Sequence, residues 1–308
     1  MTKKMTIKRI LIYILISFLL PWTALLISGM CGNTYESGMT QIILSLAMLC
    51  PTIAVFATIK LTKEDILVAG EKSLNLGISL TGKKKWWFLL GIFTPVIYVE
   101  LGYLLYYVFF PKAYDLALLD EVVAILDEVV AIFGIKREML WVVTFYFMLS
   151  AIWLSVCALG EEIGWRAYLY PKLEELMGEG KALLVGGVIW AVWHFPMLYI
   201  GHNFGKGYWG EPWTGFAAFT IYCVAIGSVL YFFTKKTKSV WVAGFMHSIH
   251  NTIAGASLLK MMQTEEGVPA WALESPVSML LSSVPVIILG CVLIGISFGK
   301  KKKTENAS

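Results

Sequence analysis

"LWVVTFYFMLSAIWLSVCALGEEIGWRAYLYP", residues 140–171, decides how this chain is read. Its first twenty residues carry no charge. An uncharged run of that length is long enough, as a helix, to cross the hydrocarbon core of a bilayer. Glu161, Glu162 and Arg166 then follow on what still reads as the same helix. Charge at the edge of a bilayer or inside it is expensive and marks a functional site by default.

The surroundings of this stretch support a membrane setting. The 308 residues are 58% hydrophobic and only 15% charged, with mean hydropathy +0.72. A soluble domain of this length carries more charge and fewer unbroken apolar runs. Apolar segments recur at roughly 10–30, 41–59, 87–110, 140–160, 182–200, 214–233, 240–258 and 276–298. No polar linker separates them. The expected fold is therefore all-α, a single integral membrane domain over residues 1–308 with eight crossings and the polar motifs at about 140–258.

Basic residues set the expected orientation. With eight crossings, twenty of the 25 Lys and Arg residues fall on the side of the N-terminus. They include "KKK" at 83–85, "KKTK" at 235–238 and "KKKK" at 300–303. Lys112, Lys136, Arg137, Lys206 and Lys260 fall on the other side. The positive-inside rule places both termini in the cytoplasm. The net charge of +4 is thus a topology signal and gives no reason to expect nucleic acid as a partner. The first apolar stretch is long for the core of a signal peptide and reads as a retained helix. Five scattered cysteines form neither a disulfide framework nor a metal spacing. Residues 119–132, "LDEVVAILDEVVAI", repeat a seven-residue unit. They predict an amphipathic outer helix over about 113–135, lying on the membrane or binding a partner.

The polar residues expected at membrane depth are few: Glu100, Glu161, Glu162, Arg166, His194, His247, His250 and Asn251. His202 falls in an outer loop. Glu162 and Arg166 are four apart and share a helix face, whereas Glu161 is turned about 100° away. His247 and Asn251 are likewise four apart. Counted along ideal helices from the basic side, Glu161 lies about 13–15 Å deep, His194 about 20 Å, and His247 and Asn251 about 10–16 Å. A carboxylate beside an imidazole can take a proton from water, and an imidazole with an amide can donate to an oxyanion. That set suits hydrolysis of a carbonyl compound, most simply a peptide bond. Zinc held by Glu161, His194 and His247 is a chemical alternative, since three N/O ligands plus water make a catalytic zinc pattern. The chain shows no internal repeat of the transporter kind.

Three motifs carry a family resemblance. "EEIGWR" (161–166) resembles the EExxxR signature of the CAAX protease and bacteriocin-processing (CPBP, Rce1-like, Abi) family of intramembrane glutamic endopeptidases. "WAVWH" (190–194) is similar to that family's aromatic-plus-histidine motif, with Trp190 where Phe is usual. "HSIHN" (247–251) resembles its HxxxN motif. The resemblance implies eight helices around a conical cavity open to the cytoplasm and to the bilayer. It implies Glu161 as general base, His194 holding the water, and His247 and Asn251 as oxyanion donors. Glu162 and Arg166 would support them, and no metal would be required. His250 is expected to support the site from behind, and Glu100 to line the cavity or pair with Arg166. The expected function is cleavage, near the cytoplasmic face, of a short or membrane-associated peptide, lipidated or not, within a multi-pass protein of a bacterial cell membrane. A non-catalytic binding or bacteriocin-immunity protein, and a zinc hydrolase using the same residues, are the alternatives.

Overall fold

The computed structural model describes residues 2–65, 73–78, 80–118, 120, 124, 128, 154–273 and 275–305. Among these there is no β-strand, only an isolated bridge between Tyr114 and Gln263. The helices are α1 (Lys3–Met30), α2 (Gly38–Ala47), α3 (Cys50–Thr62), α4 (Lys84–Phe109), α5 (154–177), α6 (Glu179–Tyr199), α7 (Trp213–Thr237), α8 (Val240–Ala256), α9 (Pro276–Ser282) and α10 (Val284–Glu305). Among the described residues four single helices (α1, α4, α6, α7) are long and apolar enough to cross a membrane, and the count rises to six if each of two bent pairs is one span. The pairs α2–α3 and α9–α10 bend by 45° and 66°. Of the two further crossings expected, most of 140–160 lies outside the described residues. The other is α8, whose 17 residues span about 26 Å, slightly less than a typical hydrocarbon core. Within the duplicated stretch 119–132, only Asp120, Ala124 and Glu128 are described, each helical and exposed.

The helices are apolar on the outside and more polar within. On α1, Leu11, Leu15, Leu19 and Leu26 are exposed, while Thr6, Tyr13, Ser17 and Ser28 are buried. This is the pattern expected when lipid solvates one face and neighbouring helices cover the other. Helix packing relies on small residues at close approaches. A Cβ on Gly187 of α6 would collide with the backbone of Val224 on α7, and one on Gly102 of α4 would collide with the carbonyl of Ser282 on α9.

The two ends of the bundle differ in charge. At the end holding the N-terminus of α1, Glu64 accepts from Lys172 (2.5 Å) and Tyr168 (2.8 Å) and pairs with Arg9 (3.3 Å). Lys235 pairs there with Glu174 (2.7 Å) and Glu179 (3.3 Å), and Lys236 lies over the Trp87 ring. At the other end, Tyr35 and His202 hydrogen-bond across two loops (3.2 Å). The segment after α4 is joined there to the segment after α8 through Asp115 N–H to Met262 O and Thr264 N–H to Ala113 O. Trp209 and Trp213 are exposed at this end and Trp86 at the basic end, where amphipathic indoles favour membrane interfaces.

Candidate active site

The site is built on α5, α6 and α8, the helices that carry the three motifs. α5 widens into a π-helical turn over Trp165–Leu169 just before Pro171. Pro171 cannot donate the usual helical bond to Ala167, and a π turn is a common solution near functional residues. Immediately before it, the two glutamates diverge as their 100° separation requires. Glu161 Oε2 accepts from the indole N–H of Trp190 (2.8 Å) and of Trp165 (3.1 Å). Glu162 Oε1 accepts from Arg166 (2.9 Å) and from His247 Nδ1 (2.8 Å).

Glu162 and Arg166 are fully buried. The guanidinium also lies 4.0 Å from the Trp190 ring centroid and 5.3 Å from that of Tyr170. Trp190 thus covers the ion pair with its ring face and holds Glu161 with its N–H. His194 Nδ1 lies 2.9 Å from the Trp190 carbonyl, which can only accept, so Nδ1 carries the proton and Nε2 is left as an acceptor. The same logic applies to His247. Its Nδ1 donates to Glu162, so its Nε2 can donate as well only in the imidazolium form.

Glu161, His194, His247 and Asn251 all line one cavity of about 990 Å³. The structure therefore brings together the four residues predicted to do chemistry and packs Glu162 and Arg166 behind them. His250 also lines the cavity, bonded to the Tyr222 hydroxyl and lying between the Tyr98 and Tyr222 rings. Glu100 does not meet its expectation. It is absent from the cavity wall, and Arg166 pairs with Glu162 instead. His202, placed in a loop by the sequence, lines the outer part of the cavity. Its surroundings hold it below the usual histidine range through burial. Among the described residues, no three His, Cys, Asp or Glu side chains converge as a metal-holding group.

The cavity extends along the bundle from the motif residues into loops. Its wall reaches Tyr35, Glu36, His202, Lys260 and Glu265, all at the end away from the lysine clusters. Toward the basic end it stops on a layer of Tyr13, Glu162, Trp165, Arg166, Tyr170 and Met246, each at most 1% exposed.

The sequence reading missed Trp165 as a partner of Glu161. The same four-residue spacing that paired Glu162 with Arg166 could have found it. Tyr98 and Tyr222, which hold His250, carry no sequence signal, because they meet only through the packing of α4, α7 and α8.

The described bundle is that of an α-helical multi-pass membrane protein with a carboxylate–histidine–amide cavity. Residues 137–253 match the family described as type II CAAX prenyl endopeptidase Rce1-like. A stretch of 100 residues is 27% identical to CAAX prenyl protease 2 of Methanococcus maripaludis, covering 32% of this chain and 36% of that protein. The chain thus matches only about a third of that relative's length. These matches make residues 137–253, which hold all three motifs, similar to the Rce1-like endopeptidases.

Proposed function

We propose that this protein is an intramembrane endopeptidase in which Glu161 activates water. The observation that carries the reading is the treatment of Glu161. Two indoles occupy Oε2, and among the described residues no group donates to Oε1, on a cavity wall shared with His194, His247 and Asn251. The likeness of residues 137–253 to the Rce1-like endopeptidases supports a membrane protease. In the proposed reaction a water hydrogen-bonds to Glu161 Oε1 and to His194 Nε2. Glu161 takes its proton as the oxygen adds to the peptide carbonyl. The Asn251 amide and the His247 imidazolium donate to the resulting oxyanion. Collapse breaks the C–N bond, and the proton on Glu161 passes to the leaving amine. Glu162 acts through His247 by holding the imidazolium, and Arg166 balances its buried charge.

The substrate of this reading is a peptide segment that fits the cavity, with or without an attached lipid. No step in it passes through a metal. The test is mass-spectrometric analysis of lipidated and unlipidated membrane peptides incubated with purified protein, with and without chelator. Wild type should cleave with chelator present, and Glu161→Gln should not. Loss of cleavage with chelator would move the chemistry to zinc. Equal phenotypes of wild type and Glu161→Gln in cells would favour a binding or immunity role.

A further inference from the structure

We infer that α4 carries a self-association surface for a second copy of this chain, centred on Glu100. Glu100 is a carboxyl group that the active site does not use. By helix rise it lies about 24 Å from the Lys84 end of α4 and about 14 Å from the Phe109 end. That depth falls within a hydrocarbon core about 30 Å thick. Acidic residues at such depth nearly always face the bundle interior or a water-filled cavity and are paired there. Glu100 does neither. It is absent from the cavity wall. It makes no hydrogen bond or ion pair among the described residues, although its Oε2 is enclosed. The tyrosine hydroxyls three and seven residues further along α4 donate elsewhere, Tyr103 to the carbonyl of Ala254 and Tyr107 to that of Leu259.

The place of Glu100 on the helix restricts what can pair with it. From Leu89 onward every exposed residue of α4 is apolar. Leu90, Phe93, Ile97 and Leu104 are 48%, 58%, 53% and 50% exposed. With Glu100 between the last two, the five residues follow one another at spacings of three, four, three and four. That is the seam spacing of two helices packed side by side. Glu100 is the one polar member of the seam, and a single polar residue in a seam fixes its register. Between helices in lipid, a polar contact of this kind favours association over solvation by lipid tails. A carboxyl group holding its proton is donor and acceptor at once. Two copies inserted the same way and related by a twofold axis along the membrane normal bring their Glu100 side chains to one depth. The O–H of each carboxyl then donates to an oxygen of the other. Any other membrane partner has to supply a polar group at that same depth. The hydrolytic reading above plays no part in this inference.

The test is thiol cross-linking in native membranes, in a background lacking the five native cysteines. Ile97→Cys puts a thiol on the seam beside Glu100, and Leu15→Cys puts one on the exposed face of α1 as a control. A short, membrane-permeant bis-maleimide is applied and the products are separated by size. Ile97→Cys should yield a dimer and Leu15→Cys should not. Adding Glu100→Leu to Ile97→Cys should lower the cross-linked fraction at least about threefold, because a polar contact between membrane helices is worth about 3–30-fold in association. Glu100→Gln, whose amide also donates and accepts, should keep the dimer. No dimer from Ile97→Cys or from Leu104→Cys overturns the inference. So does an equal yield from Leu15→Cys, or a yield that Glu100→Leu leaves unchanged. If Glu100→Leu fails to accumulate, Glu100→Ala takes its place. Because cross-linking needs no turnover, its outcome is independent of whether Glu161→Gln abolishes cleavage.

Discussion

At the scale of single residues, the site turns on how two adjacent carboxylates are kept apart in role. Glu161 is held by indole donors and Glu162 by cations, and Trp190 serves both. If Glu161 is the base, Glu161→Gln should lower the cleavage rate by about 10²–10⁴-fold, the usual worth of general acid–base catalysis. The variant's melting temperature should change little, because Gln still accepts from both indoles. Trp190→Phe separates the ring from its N–H. The ring still covers Arg166, but Glu161 loses a charge-assisted hydrogen bond of about 1.5–3 kcal/mol. The expected result is a fall in kcat, with KM and thermal stability close to wild type. A loss of stability without a change in kcat would show that Trp190 only packs.

At the scale of elements, helix contacts and end clasps hold the site. Glu64 pairs with both Arg9 and Lys172, and all three side chains are at most 10% exposed. Glu64→Gln removes the carboxylate that pairs with Lys172 and Arg9, and breaking a buried ion pair costs about 3–5 kcal/mol. A clearly lowered melting temperature in detergent is the expected readout. At the other end, the Tyr35–His202 clasp joins the α1–α2 and α6–α7 loops. Burial lowers the His202 pKa, so the folded protein resists a proton that the unfolded chain accepts. The contribution is therefore intact above about pH 6.5 and declines as the pH falls below it. Melting temperatures measured from pH 7.5 to 5 should drop for wild type, and His202→Asn should flatten part of that slope.

At the scale of the whole molecule, charge and cavity are segregated to opposite ends. The basic end is tied by ion pairs, and the wall of the cavity reaches loop residues at the other end.

Much of this protein was legible before folding was considered. Runs of some twenty apolar residues determine a helical membrane protein, because only internal hydrogen bonding satisfies a backbone in lipid. The four-residue spacings of Glu162–Arg166 and His247–Asn251 follow from helix geometry alone. Depth along each helix was enough to suggest that Glu161, His194, His247 and Asn251 meet. Three other features were decided by tertiary structure. His247 chooses Glu162, not Glu161, because α8 packs behind α5 at that level. Glu100 stands apart because Arg166 already has its carboxylate one helical turn away. The cavity wall is assembled from side chains of α4, α5, α6, α7 and α8, which meet only in the packed bundle. What lines a cavity depends on how side chains from distant segments share space, and no single segment encodes it.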